Sequence, residues 1–252
     1  MTKQIETRPK SFNVKKIFGP FMGFVDLADD VTDALRKMTD KIIDDKKSES
    51  HGHHLAGVIE KELRIYKSDM IEFGVNTMME SCVLSYVQHC AKEHGWLHPN
   101  FTVSSAINSA WIVSQYENEY NPSHNHTFCE VSGVVYLKTP NVKGRRKFVT
   151  EKGKRDNDGN IAFVYSSPSD RPFDVLEKGI EAIAPEKGMM ILFPSYLSHH
   201  VYPFIGKEER RSIAFNANYR ITDDTDKNDI KFIAGNLSGI THDAFYTKQK
   251  PK

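Results

Sequence analysis

The sequence predicts a mainly β chain with flanking helices, a β-sandwich or jelly roll. Three observations carry that expectation. Short β-branched and aromatic segments recur from residue 101 to residue 219, with turn signals between them. Two longer segments with helical apolar spacing come before them. No internal repeat and no long low-complexity tract suggests a solenoid or a fibrous chain.

In chain order, SFNVKKIFGP reads as a short strand closed by Gly19-Pro20. A helix follows from about Asp29 to Asp44. Val31, Leu35, Met38 and Ile42 recur on one face, and Asp29 or Asp30 is placed to cap its start. Residues 45–54, DKKSESHGHH, are polar and read as a mobile loop, with His51, His53 and His54 in solvent rather than on a second metal. A second helix spans about Val75 to His94. Met78, Met79, Cys82, Val83, Tyr86, Val87 and Cys90 form its apolar stripe, and Gly95 is a natural stop.

The strands are expected at 101–116, 130–138, 161–165, 187–194 and 210–219, with the two helices bracing one sheet from outside. Residues 141–160 are basic and nearly free of apolar side chains. They read as a solvated hairpin loop or, more sharply, as a lid over an acidic or extended substrate. The tail after Thr222 is polar, with a short helix or strand around Ile230–Ile233. The whole reads as a single domain: an N-terminal strand and bracing helices (1–99), a β core (100–220) and a tail (221–252).

Composition excludes several functions. The 252 residues carry a formal net charge of +1, so no bulk electrostatic case exists for nucleic-acid or membrane binding. Three cysteines, Cys82, Cys90 and Cys129, are too few for a disulfide framework and fit a reducing compartment. The N-terminus has no apolar stretch of signal-peptide type, and no run approaches the roughly 18 apolar residues of a membrane span. A cytoplasmic protein of unknown oligomeric state is the expectation.

Three segments carry chemistry. In NPSHNHTF, His124 and His126 are two residues apart, so on extended chain both project to one face, as two cis ligands of one metal would. Imidazole favours Fe, Zn, Cu or Ni over Mg or Ca. In LFPSYLSHHVYP, two histidines follow an apolar strand, and only one of His199 and His200 can face the same pocket. In RRSIAFNAN, Arg210, Ser212, Ala214 and Asn216 share one strand face. An inward Arg210 with Ser212 beside it makes a grip for a carboxylate, and Arg211 then points out. An Arg-Arg pair at a strand start is also an ordinary surface feature. The letters HNH do not indicate an HNH nuclease, whose histidines lie on separate elements.

Taken in order, these motifs resemble the 2-oxoglutarate-Fe(II) oxygenases, phage-encoded members most closely, within the prolyl-hydroxylase-like superfamily. The matching residues are His124-Asn125-His126, Ser132-Gly133-Val134-Val135-Tyr136, the run Phe193 to Pro203, and Arg210 to Asn216, within roughly residues 100–220. The resemblance implies a double-stranded β-helix. It implies iron held by His124, His126 and His199, and a 2-oxoglutarate carboxylate held by Arg210 and Ser212. Tyr136 and Tyr116 are candidate cosubstrate-binding tyrosines, although both fit equally as core aromatics.

It also implies Fe(II), with 2-oxoglutarate and O2 as cosubstrates, and hydroxylation of a C–H bond with release of succinate and CO2. A protein side chain such as proline is the first substrate expected, and a small metabolite the next. The location implied is cytoplasmic, that of the host for a phage-encoded chain. One departure stands out. The usual near pair is His with a carboxylate, and here His126 holds the carboxylate's place. Glu130, or Glu119, could supply the missing carboxylate instead. The rival readings are a non-catalytic jelly-roll binding or structural phage protein and a three-His cupin-type metalloenzyme that does not use 2-oxoglutarate.

Overall fold

The computed structural model describes residues 10–16, 19–95, 99–141, 156–165 and 179–223. Most of the basic 141–160 segment and the tail at Ile230–Ile233 lie outside the described residues.

The elements in chain order begin with β1 (Ser11–Lys16), β2 (Phe21–Asp26), α1 (Asp29–Asp44) and a single 3-10 turn (Gly52–His54). β3 (Lys61–Ile65), α2 (Lys67–Glu72) and α3 (Asn76–Glu93) follow. Then come β4 (Phe101–Gln115), β5 (Asn121–His124), β6 (Val131–Lys138) and β7 (Ile161–Val164). β8 (Ile180–Ile183), β9 (Met189–Pro194), β10 (Ser198–Val201) and β11 (Arg210–Asp223) complete the set.

The strands form two sheets. A seven-stranded sheet runs β1-β2-β9-β6-β11-β4-β3, and a four-stranded sheet runs β5-β10-β7-β8. Every pairing between these strands is antiparallel. The large sheet and the small one make a double-stranded β-helix, the mainly β architecture that the sequence predicts.

Two apolar cores explain why the sheets stay apart and where the helices go. The outer core packs α1 and α3 on the large sheet. Val31, Leu35, Met38 and Ile42 of α1 and Met78, Met79, Cys82, Val83, Tyr86 and Val87 of α3 all lie in it. The inner core joins the sheets through Met22, Val134, Tyr136, Ile161, Phe163, Ile191 and Phe193. Alternation along β6 and β11 sends successive side chains to one core or the other. Gly133 has a specific reason to lack a side chain: a Cβ there would come 2.2 Å from the Phe215 ring on the paired strand.

Some local expectations differ from what forms. Helix α1 is capped by Ala28 without a side-chain cap, and Asp29 and Asp30 occupy its first turn instead, where negative charge suits the helix dipole. Residues 45–54 are not simply a solvated loop. His51 is buried, its backbone N–H donates to the Glu62 carbonyl, and its ring stacks on Trp111 at 5.0 Å. Packing against a large aromatic outweighs the polar composition of the segment. Arg211 does point to the opposite face from Arg210, but that face lies under α1 rather than in solvent, and Arg211 is buried.

Candidate metal and cosubstrate site

The two histidine motifs meet because β5 and β10 are neighbours in the small sheet. His124 and His199 are cross-strand partners. His126 follows β5, and its backbone N–H donates to the Ser195 carbonyl. The ligand nitrogens of His124, His126 and His199 all lie within 4.8 Å of one another. Among the described residues this is the group of three or more His, Cys, Asp or Glu side chains that converges in this way.

The backbone fixes which nitrogen faces inward. His124 Nδ1 lies 2.8 Å from the Pro122 carbonyl, and His199 Nδ1 lies 3.0 Å from the Leu197 carbonyl. A carbonyl only accepts, so each Nδ1 carries the proton and each Nε2 keeps its lone pair for a metal. His126 Nε2 is 3.2 Å from His199 Nε2. Burial, with His124 as a smaller cause, pushes His126 down to about 3 and His199 well below the usual imidazole value. Both are therefore neutral near pH 7, the form that binds metal. The donor set fits a borderline ion such as Fe(II). His200 lies on the other side of its strand, with its ring against Tyr202.

Neither reserve carboxylate joins the cluster. Glu130 Oε2 accepts from the Tyr219 N–H at 2.9 Å, and Glu130 lines a different cavity beside Tyr86 and Tyr196. Glu119 accepts from the N–H groups of Tyr116 and Glu60.

Arg210 opens β11 and turns into the same small cavity as the imidazoles. That cavity, about 60 Å³, is lined by His124, His126, His199, Arg210, Ser212 and Glu62, among others. Arg210 is 2% exposed. Its Nε donates to the Gly159 carbonyl at 3.0 Å, and its guanidinium lies 5.1 Å from the centre of the Tyr136 ring. Among the described residues no carboxylate pairs with it. Burial lowers its pKa, with Tyr136 opposing, and burial pushes Tyr136 up to about 12. The Tyr136 hydroxyl is fully buried and has no hydrogen-bond partner. Tyr136 and Ser212 are cross-strand partners, which places both beside Arg210. A buried guanidinium with an unpartnered hydroxyl nearby fits a small dicarboxylate, since a carboxylate would satisfy both. Tyr116 is not brought to this place. It is 37% exposed and does not line the cavity.

Residues 109–216 match the model of the family described as "Putative 2OG-Fe(II) oxygenase". That stretch is 108 of the 252 residues, so the likeness to the 2OG-Fe(II) oxygenases covers somewhat under half of the chain. No curated protein matches it. Similar solved structures include an oxidoreductase of the 2OG-Fe(II) oxygenase family from Burkholderia pseudomallei, at 12% identity over 74% of this chain and 77% of that one, TM-score 0.44. A prolyl-4-hydroxylase from Pseudomonas putida is 14% identical over 82% of this chain and 92% of that one, TM-score 0.45. HygX from Streptomyces hygroscopicus, with nickel, 2-oxoglutarate and hygromycin B bound, is 12% identical over 82% of each chain, TM-score 0.47.

Several residues of this cavity escape sequence reasoning. Glu62, on β3, and Trp111, on β4, line it, as does Asn121. Trp111 and His51 also line an outer pocket of about 410 Å³ that shares His124 and His126 with the inner cavity. The one sequence signal for Glu62 is alternation. Leu63 and Ile65 pack toward the helices, so Glu62 must face the other way.

Proposed function

We propose that the chain hydroxylates a C–H bond of a protein side chain or a small molecule, using Fe(II) and 2-oxoglutarate. The observation that carries this reading is the buried Arg210, lacking a carboxylate partner among the described residues, in one cavity with three converging imidazoles. When bound, Fe(II) and 2-oxoglutarate supply the oxidising chemistry: O2 and 2-oxoglutarate become CO2 and succinate while a substrate C–H becomes C–OH.

In this reading His124, His126 and His199 hold the metal, and the Pro122 and Leu197 carbonyls keep two of the imidazoles in the ligating tautomer. Arg210 and Ser212 take the far carboxylate of 2-oxoglutarate, with the Tyr136 hydroxyl donating to it. Ile161, Phe193 and Val201 wall the cavity and limit water around the cosubstrate. Among the described residues no carboxylate joins the three imidazoles as a ligand group, so 2-oxoglutarate, when bound, would bring the negative charge there. Retention of iron is then weaker before 2-oxoglutarate binds than after. A reducing, cytoplasmic setting belongs to the same reading and agrees with three free thiols. Among the described residues no helix is long and apolar enough to cross a membrane.

The test is succinate formation. Anaerobically iron-loaded protein is given 2-oxoglutarate and then air, as wild type, His199→Ala and Arg210→Ala. Wild type is expected to release succinate, and each variant to lose most of that release. Metal binding without any 2-oxoglutarate binding would favour a three-His metalloenzyme of another kind. Absence of both would favour a binding protein.

A further inference from the structure

We propose that the substrate of this oxygenase carries an alkylammonium or guanidinium group, and that the Glu62 carboxylate holds it at the mouth of the metal cavity. The proposal rests on the oxygenase reading for what happens to the substrate, but not for the binding itself.

Glu62 sits on β3 opposite Val113 of β4, which is in turn opposite Ser212 of β11. Its side chain enters the cavity that the three imidazoles and Arg210 line. The residue is 2% exposed, and its Oε1 has no hydrogen-bond partner. Among the described residues no Lys, Arg or His nitrogen lies within 4.0 Å of its carboxylate. Arg64, two residues along the same strand, turns elsewhere: its Nε lies 3.9 Å from Glu49 and its guanidinium lies 6.0 Å from the Tyr66 ring centre. A buried carboxylate without a partner costs several kcal/mol in general, and a ligand that brings the counter-charge is one reason to keep it.

The surroundings select the charge of that ligand. Glu119 is a second acidic group close enough to raise Glu62, whose pKa is pushed up to about 7 mainly by burial. Glu62 is the acidic side chain that lines the cavity, and its free carboxylate oxygen favours a cationic hydrogen-bond donor. Trp111 offers an aromatic wall, suited to the carbon stem or the charge of such a cation. His51, stacked on Trp111, is pushed down to about 4 by burial, so it adds no positive charge near pH 7. Its Nδ1 and the Asn108 Nδ2 are further buried polar atoms without partners, and both residues line the outer pocket. A peptidyl proline has no N–H to offer this site, so the inference moves the substrate from proline toward an amine, a lysine-like or an arginine-like side chain.

The test is calorimetry on anaerobic protein loaded with Fe(II) and 2-oxoglutarate. The probes are butylammonium, butylguanidinium, butanol and butyrate, titrated into wild type and Glu62→Gln. At least one of the two cations is expected to bind wild type better than butanol or butyrate does. Its affinity should fall about tenfold or more in Glu62→Gln, the loss expected for one charged hydrogen bond. Equal cation affinity in the two proteins, preference for butanol or butyrate, or no heat from either cation would overturn the proposal. Thermal melting of Glu62→Gln, expected at or above the wild-type midpoint, guards against a folding artefact. The absorption change on 2-oxoglutarate chelation, recorded on the same samples, separates the two readings. Cation binding without that change would sink the oxygenase reading alone, and the change without cation binding would sink this one alone.

Discussion

Arg210 and Arg211 are neighbours in sequence, equally charged and almost equally buried, yet their surroundings are opposite. Arg211 faces α1 and is saturated with acid. Its Nε and one terminal nitrogen bind Glu209 at 2.6 and 2.8 Å, and it also reaches Asp40 and Thr39 of α1. Arg210 faces the cavity, with a carbonyl and a tyrosine ring for company and no acid among the described residues. One arginine fastens a helix to a sheet. The other lies buried in the cavity with no acid beside it among the described residues, and under the proposed function that is where the dicarboxylate enters. The difference teaches that burial alone does not set two arginines apart; the acid partner that one has and the other lacks among the described residues does.

The largest expected effect is on stability. Arg211→Met leaves Glu209 with Lys138 and Ser114 and Asp40 with Arg36, but removes the buried link between them, and should cost about 1 to 3 kcal/mol in urea unfolding. A loss below about 1 kcal/mol would make the two arginines alike and remove the contrast.

Next comes acid. Burial tends to raise the Glu209 pKa, but hydrogen bonds from Arg211, Lys138 and Ser114 together hold it down to about 2 from the usual 4.5. Its pKa is lower folded than unfolded, so the stability it contributes is present above about 4.5 and is lost as pH falls from there toward about 2. Unfolding midpoints measured across that range should drop, and the drop should be shallower in Glu209→Gln. Equal slopes in the two proteins would contradict the assignment.

Tyr136→Phe removes a single hydroxyl that has no protein partner. It should weaken 2-oxoglutarate binding by about 1 kcal/mol while leaving the melting temperature nearly unchanged. A large stability loss would make Tyr136 a structural residue.

The smallest expected effect is the thermal stability of Arg210→Met. Removing a buried charge with no acid beside it should be neutral or stabilising, the reverse of its neighbour.

The sequence shows these contrasts only in part. Helix α1 is legible to its ends because its apolar residues repeat on one face. The long strands β4 and β11 are legible from their β-branched and aromatic content. Strands β2, β3, β5, β8 and β10 and helix α2 are not legible, because little periodicity shows over four to six residues, and β7 and β9 are legible at that length only through their unbroken apolar runs. β5 even contains Pro122, tolerated at the sheet edge. The histidine motifs could be read from spacing and order, and alternation placed Arg210 and Arg211 on opposite faces. Alternation could not say that α1 covers the outward face, since that depends on packing between segments far apart in sequence. The same limit hid Glu62 and His51. Each sits in a polar stretch whose burial is decided by Trp111 and its neighbours, not by local composition.

The most direct test of the central claim is an anaerobic titration of the iron-loaded protein with 2-oxoglutarate, followed by the absorption change on chelation, in wild type and Arg210→Met. Wild type is expected to saturate, and the variant to need about a hundredfold more 2-oxoglutarate, the scale of losing one buried charge pair. No chelation signal in wild type, or the same affinity in both proteins, would contradict the account.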